Sequence, residues 1–191
     1  MNGLVIEPSQ NVQYPTDVEL LTRVMQPYQS KNCVYLKEAL IEVAGDPAEG
    51  CGVSADCRFE IPESCYIDDT GHFNSVEFNI CFNQMAYYLL AKAVKDKLVS
   101  PFSEWSMADF WQRQLGDILI TDFRSAFRAH MNGRSFRGRI ELMEIITWDG
   151  SDIRDPLLVV RSRCQYWDSR GGDCHGEVNV AITNPPVLAA A

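Results

Sequence analysis

The pattern of apolar and polar positions predicts one long buried helix over residues 75–95. Apolar side chains occur on nearly every side of this segment, and charged residues return only from Lys92 onwards. A helix that is apolar all round is a buried helix. Asn74 precedes it in the N-cap position and Glu77 occupies the third helical position, a combination typical of a helix start.

Runs of apolar and β-branched residues predict strands on both sides of this helix. Asn132-Gly133, Asp149-Gly150 and Gly171-Gly172 separate the later strands as turns. The strands are predicted at 33–43, 52–61, 120–130, 136–148, 157–167 and 174–183. A block of strands interrupted by one long apolar helix indicates an α+β fold, in which the helix lies on an antiparallel sheet.

Two short helices complete the predicted elements. The first has Thr16 as its cap with Glu19 in the capping-box position, and it ends at Pro27. The second is predicted over 106–119, with Ser106 as its cap. Residues 1–15 are expected to be an irregular lead-in, 184–191 a tail, and the chain 1–191 a single domain.

Composition narrows the classes of function. The net charge of −9 disfavours nucleic acid as a partner. We expect neither a membrane span nor a secretory signal, because the sequence has no apolar run of about 20 residues and no basic start followed by an apolar run. Seven cysteines without a C-x-x-C pair, and three histidines without metal-ligand spacing, argue against a disulfide framework and a metal site. The simplest interpretation is a cytoplasmic protein with reduced thiols.

An arginine cluster stands out in this acidic chain. It contains five arginines and no acidic residue: Arg124, Arg128, Arg134, Arg137 and Arg139. Such a cluster is suited to phosphate or to an acidic protein partner. The alternative is that these arginines cover the solvent faces of strands, and the sequence leaves both open.

The segment before the long helix contains candidate chemistry. His72 lies two residues ahead of the N-cap Asn74. The first turn of a helix attracts negative charge, such as a thioester carbonyl that becomes an enolate. A neutral imidazole at that point can act as a general acid or base near pH 7. A loop histidine with no role is the competing interpretation.

Two amides interrupt the apolar surface of the helix. Asn79 and Asn83 are four residues apart and therefore lie on one face. An unpaired buried amide costs about 1–3 kcal/mol, so these side chains must bind a ligand or a structural partner.

The same segments resemble the FcoT-like family, which is named for a long-chain fatty acyl-CoA thioesterase. The upstream likeness includes Pro27-Tyr28 and Cys33-x-Tyr35-Leu36, and looser matches continue downstream to Gly176-Glu177. The motif itself is Tyr66-x-x-x-Thr70-Gly71-His72-Phe73-Asn74-x-Val76-Glu77, followed by Cys81-Phe82-Asn83-Gln84-x-Ala86-Tyr87.

This resemblance implies a hot-dog fold, in which an antiparallel sheet wraps around the long helix and subunits pair into homodimers or higher homo-oligomers. It implies site residues at Tyr28, Tyr66, Asn74 and Asn83. Each has a structural alternative, since Asn74 caps the helix and the tyrosines can be core aromatics. Asn83 is about 13 Å beyond Asn74 along the helix, so the two can share a small reacting group only across a dimer.

The resemblance also implies two reactions. One is hydrolysis of a fatty acyl thioester on CoA or on an acyl carrier protein. The other is addition of the glycine amine to a (2E)-enoyl thioester (aza-Michael addition), with release of an N-carboxymethyl-3-amino fatty acid, in secondary-metabolite pathways to β-amino acids and isonitriles. An acyl-chain binding module without catalysis is a third interpretation.

The residues favour addition over hydrolysis. Hydrolysis commonly uses a carboxylate on the central helix, and this helix carries amides there, while Glu77 looks committed to the cap. In the addition, we expect His72 to transfer protons, Tyr66 or the helix amides to hold the enolate oxygen, and Arg128 to bind the glycine carboxylate. The acyl tunnel is expected to pass Phe82. No cofactor is expected beyond the phosphopantetheine that carries the substrate.

Overall fold

The computed structural model describes residues 10–45, 50–68 and 71–186 of the chain. Residues 1–9 of the predicted lead-in, Thr70 of the motif and residues 187–191 of the predicted tail lie outside this part. The helices are α1 (Val18–Val24), α2 (Gln26–Gln29), α3 (Ser75–Lys95) and α4 (Met107–Arg113), with a 3-10 turn at Phe102–Glu104. The strands are β1 (Val12–Tyr14), β2 (Leu36–Val43), β3 (Val53–Phe59), β4 (Ile118–Ala129), β5 (Phe136–Trp148), β6 (Leu157–Trp167) and β7 (Asp173–Thr183).

The seven strands form one antiparallel sheet in the order β1-β2-β3-β5-β6-β7-β4. The chain leaves β3, passes through α3 and α4, and enters β4 at the far edge of the sheet beside β7. It then returns to β5, which pairs with β3. In this arrangement the end of β4 lies next to the start of α3, although the two are distant in sequence.

α3 packs against one face of the sheet and forms the core with it. Phe78 contacts both Tyr166 of β6 and Phe123 of β4, with ring centroids 4.7 and 5.4 Å apart. Gly176 allows this close approach, because a Cβ atom there would lie 2.8 Å from the Phe78 ring. The predicted helix over 75–95 and the predicted α+β arrangement are thus confirmed.

A buried amide joins α3 to the start of β2. The side-chain oxygen of Gln84 accepts hydrogen bonds from the backbone N–H groups of Tyr35 and Leu36, at 2.9 and 2.8 Å. Its Nε2 donates to the carbonyl oxygen of Cys33 at 2.6 Å. Gln84 is fully buried, so it satisfies three backbone groups that water cannot reach.

The short elements differ from the prediction. Val12–Tyr14 forms an edge strand on β2 inside the segment predicted to be irregular. The cap of α1 is Asp17, whose side chain accepts from the Leu20 N–H, while the Thr16 hydroxyl bonds to the backbone of Ala39 in β2. Pro27 lies within α2 rather than ending α1.

α4 has the predicted capping box at Ser106 and Asp109 but ends at Arg113 instead of continuing to 119. Among residues 10–45, 50–68 and 71–186, no helix combines the length and the apolar character needed to cross a membrane.

Candidate active site

The first wall of the candidate site is the start of α3. The Asn74 side-chain oxygen accepts hydrogen bonds from the N–H groups of Val76 and Glu77, at 3.0 and 3.2 Å, which confirms the predicted cap. These two donors are therefore already engaged. The Nδ2 atom of Asn74 is buried and has no partner among the described residues. A buried amide N–H without a partner is a donor for a ligand.

The second wall is the end of β4 and the turn after it. The backbone N–H of Phe73 donates to the carbonyl oxygen of Met131 at 2.9 Å, and both side chains are buried. The Phe73 ring also packs against Phe127 and Phe136, with centroids 6.4 and 4.7 Å apart. These contacts hold the loop before α3 against β4.

Between the two walls is an open cleft of about 520 Å³. The rings of His72 and His130 lie side by side at its mouth, with centroids 5.6 Å apart. The lining residues are His72, Phe73, Asn74, Ser75, Phe127, Arg128, Ala129, His130 and Met131. A helix N-terminus, an arginine and two imidazoles provide an environment that favours negative charge and can transfer protons.

A second, small cavity of about 30 Å³ is also lined by His72. Its volume suits about one water molecule. The Glu77 side chain, 5% exposed, lines it. The other lining residues are Ile61, Ser64, Gly71, His72, Asn132, Gly133 and Arg134. Glu77, which looked committed to the cap, is thus a buried carboxylate in a cavity that His72 shares.

The structure brings three of the predicted site residues together. His72, Asn74 and Arg128 all line the cleft. The Nε atom of Arg128 also lies 3.4 Å from Nδ1 of His175 on β7, which holds the guanidinium at the rim.

Other predicted site residues lie further along α3. The Nδ2 atom of Asn83 donates to both the side-chain oxygen and the backbone oxygen of Asn79, at 2.8 and 3.0 Å, so this pair has the structural partner that a buried amide needs. Phe82 is buried in the core.

Tyr28 lies in α2. Burial raises the pKa of the Tyr28 hydroxyl well above its usual range, and the nearby Tyr87 adds to the shift. Tyr28 is therefore a hydrogen-bond donor and not a base at neutral pH.

Tyr66 is 48% exposed on the loop between β3 and α3. The neighbouring Cys65 N–H donates to the Tyr35 hydroxyl at 3.1 Å, which places this loop over the start of β2. Within this protomer, Tyr66 is not among the described residues that line either cavity.

The arginine cluster is divided between several environments. Arg139 forms ion pairs with Asp56 on the neighbouring strand β3 and with Glu141 on its own strand β5. Arg124 is largely exposed, and Arg137 is exposed at the start of β5. Arg128 and Arg134 line the two cavities. Arg124 and Arg137 therefore fit the alternative in which the arginines cover the solvent faces of strands, whereas Arg128 and Arg134 face cavities.

Two site features were not identified from the sequence. His130 follows a predicted strand and precedes the Asn132-Gly133 turn, but no local pattern shows that this turn reaches the loop before α3. Glu77 was recognised only as a helix-start residue.

All seven cysteines are unpaired, and the described residues contain no group of three or more His, Cys, Asp or Glu side chains arranged to hold a metal.

Known proteins are similar to this chain in sequence and in fold. A family model described as the FcoT-like thioesterase domain matches residues 23–182. A (2E)-enoyl-ACP glycyltransferase from Streptomyces coeruleorubidus is 47% identical over 171 residues, which cover 90% of this chain and 99% of that protein. A protein of the same name from Mycobacterium tuberculosis (strain ATCC 25618 / H37Rv) is 36% identical over 174 residues, which cover 90% of each chain.

Among solved structures, a candidate thioesterase from Shewanella oneidensis matches with a TM-score of 0.50 and 10% sequence identity. The match covers 86% of this chain and 98% of that one. At this identity the likeness concerns the fold alone, and it confirms the predicted hot-dog fold.

Proposed function

The chain belongs to the FcoT-like thioesterase family, and we propose that it adds glycine to the (2E)-enoyl thioester of a fatty acid on an acyl carrier protein. The observation that carries this proposal is the cleft at the start of α3, which is lined by His72, Arg128 and Asn74 and beside which the buried Nδ2 of Asn74 has no partner among the described residues. The two relatives described above have names for this activity and match 90% of the chain. The addition gives an N-carboxymethyl-3-aminoacyl thioester that is still on the carrier protein. Water then cleaves the C–S bond of the thioester and releases the carrier thiol and an N-carboxymethyl-3-amino fatty acid, of the kind used in pathways to β-amino acids and isonitriles.

The addition needs a neutral amine and a polarised carbonyl. The lone pair of the glycine nitrogen forms the new bond to Cβ, and the Cα=Cβ electron pair moves to the thioester oxygen as an enolate. The ammonium then gives one proton to a base, Cα receives one proton from an acid, and the carbonyl re-forms. No electrons are gained or lost overall.

Three groups in the cleft suit these steps. His72 is exposed at its mouth and can act as a general acid or base. The Nδ2 of Asn74 can donate to the enolate oxygen, where the positive end of α3 also stabilises negative charge. Arg128 can bind the carboxylate of glycine through its guanidinium.

Thioester hydrolysis is a second candidate, as the release step or as the whole reaction. Glu77 supports it, because a buried carboxylate beside His72 can activate a water molecule in the small cavity. The absence of a helix carboxylate was the sequence argument against hydrolysis, and this position weakens it.

We further propose that the partner is an acidic carrier protein, that phosphopantetheine is the only carrier group needed and that the enzyme is a cytoplasmic homodimer. The exposed arginines of β4 and β5 support the first point. The free cysteines support the cytoplasm. A dimer would bring Tyr66, Tyr28 and Asn83 of one subunit nearer to the cleft of the other.

The test uses the full chain, an N-acetylcysteamine thioester of a 2-enoyl acid and glycine. Mass spectrometry should detect the glycine adduct, and its amount should rise with glycine concentration. His72→Ala should abolish the adduct with little change in melting temperature, because this side chain is exposed. Free 2-enoyl acid as the sole product at every glycine concentration would show a plain thioesterase instead.

A further inference from the structure

A second histidine borders the cleft beside His72. The two ring centroids are 5.6 Å apart and the ring planes are inclined by 47°. His72 precedes α3 and His130 follows β4, so each comes from a different wall of the cleft. A substrate that contacts one imidazole is therefore separated from the other by no more than the width of a small molecule.

Hydrogen bonds of the neighbouring residues fix the backbone position of His130 as well as that of His72. The neighbouring Phe73 and Met131, each 1% exposed, are joined by a hydrogen bond of 2.9 Å. On the far side of His130, the Asn132 N–H donates to the Asp168 carboxylate at 2.8 Å. The same carboxylate accepts from the N–H groups of Arg170 and Gly172, at 2.7 and 2.9 Å. Rigid neighbours are what a catalytic side chain on a turn requires.

The chemistry calls for two proton-transfer groups. In the addition, one proton leaves the glycine nitrogen and one arrives at Cα, and the two positions are separated by Cβ. A single imidazole would have to accept at one point and donate at another. We propose that His130 is a second catalytic acid–base residue of the addition, one histidine of the pair accepting the nitrogen proton while the other donates to Cα. This inference rests on the proposed function.

Charged groups border the histidine pair on both sides. On the cleft side, Arg128 of β4 lines the same space as the two imidazoles. On the small-cavity side, Glu77 of α3 and Arg134 of the turn line the space next to His72. One neutral and one protonated imidazole is the state that the mechanism needs.

The experiment compares His130→Gln and His130→Ala with the wild type in the adduct assay. Each variant should form the adduct about 100-fold more slowly or worse, with the KM for glycine changed less than threefold. The pH dependence of kcat should lose one limb in His130→Gln. Added imidazole should restore part of the rate of His130→Ala, because the side chain is exposed and leaves an open site.

The outcomes separate this inference from the proposed function. If the wild type forms no adduct, the proposed function fails. If the wild type forms it and both variants work within threefold of its rate, only the role of His130 is overturned. A slower His130→Gln with an unchanged pH profile, and a His130→Ala that imidazole does not restore, would also overturn it, since both point to a merely structural residue.

Discussion

The backbone N–H of Phe73 lies 2.9 Å from the carbonyl oxygen of Met131 and donates a hydrogen bond to it. This bond joins the loop before α3 to the segment that leaves β4, at the far edge of the sheet from β1. The adjoining residues are His72 and His130. The cleft is therefore built by the crossing of the chain from β3 to β4 and not by any single segment.

Replacing Arg128 by Gln should raise the KM for glycine by about 10- to 100-fold, the usual loss for a hydrogen bond to a charged group. The change in kcat should be smaller, because the guanidinium binds the carboxylate and not the reacting atoms. Steady-state kinetics with glycine measure this. Methylamine is the matched control, because it lacks the carboxylate and should react equally slowly with both proteins. An equal loss of activity with methylamine would show that Arg128 does not bind the glycine carboxylate.

Substitutions at Asn74 should separate its cap from its role in the cleft. Asn74→Ala should lower the free energy of unfolding by about 1 kcal/mol, as loss of an N-cap does. Asn74→Asp keeps the capping oxygen and should stay within about 0.5 kcal/mol of the wild type, yet it removes the buried Nδ2 donor and adds negative charge. We expect both variants to lose adduct formation. Urea unfolding and the adduct assay give the two readouts, and an active Asn74→Asp would leave Asn74 with the cap alone.

The sequence predicted well those features that depend on interactions between residues close in sequence, and less well those that depend on distant residues. α3 and β4–β7 were predicted to within about two residues, because period and turn signals act over a few positions. The cap of α1 was assigned to Thr16 instead of Asp17, because Thr16 has its partner at Ala39, in a strand that no local pattern relates to it.

The candidate site was predicted in part for the same reason. His72 and Asn74 belong to one continuous segment, so a helix start was enough to bring them together. Arg128 was selected from the arginine cluster by resemblance and chemistry. His130 and the buried position of Glu77 depend on β4 pairing with β7, and that pairing is a property of the whole sheet.

We expect Gln84 to contribute to the stability of the fold and not to catalysis. Gln84→Leu removes the partners of the Tyr35 and Leu36 N–H groups and of the Cys33 carbonyl, all of them in buried residues. We expect a loss of at least about 2 kcal/mol in the free energy of unfolding, since each buried unsatisfied group costs about 1–3 kcal/mol. Urea unfolding measures it.

The matched control for Gln84 is Asn83→Leu on the same helix. Asn83 is half-buried, and within residues 10–45, 50–68 and 71–186 its side chain bonds only to Asn79, so its loss should cost about 1 kcal/mol or less. Equal costs for the two variants would contradict the assignment of Gln84 as the link between α3 and β2.

Charge reversal at Arg124 and Arg137 should weaken the use of a carrier-bound substrate. Both side chains are exposed, Arg124 on β4, whose last residues line the cleft, and Arg137 at the start of β5, and acidic partners associate through such charges. The double variant Arg124→Glu, Arg137→Glu should lower kcat/KM for an enoyl thioester on a carrier protein about tenfold or more, and raising salt should reduce the difference. The N-acetylcysteamine thioester should be used at the wild-type rate.

A single reversal at Arg154 on the β5–β6 connection is the control for net charge, because this residue is exposed and follows the end of β5 opposite to Arg137. It should leave both substrates unaffected. An equal loss with the small thioester in the double variant would mean that the arginines act on the site and not on the carrier protein.

Asp168 should make the turn that bears His130 sensitive to acid. Hydrogen bonds from the N–H groups of Asn132, Gly172 and Arg170 hold the pKa of the Asp168 carboxyl below its usual value of 3.8. A lowered pKa contributes stability that is complete above the unfolded value and is lost as the pH falls through the folded value. Asp168→Asn should therefore lower the melting temperature at pH 7, and the difference from the wild type should shrink below about pH 3.

The same substitution tests whether the turn positions His130. Because an amide keeps only one accepting oxygen, Asp168→Asn cannot hold both Asn132 and the N–H groups of Arg170 and Gly172. Adduct formation at pH 7 should fall several-fold at a temperature where the variant is fully folded, with little change in the KM for glycine. Asp149→Asn, on the distant β5–β6 turn, is the matched control and should change neither the rate nor the pH dependence of melting. A normal rate in folded Asp168→Asn would show that the position of His130 does not depend on this carboxylate.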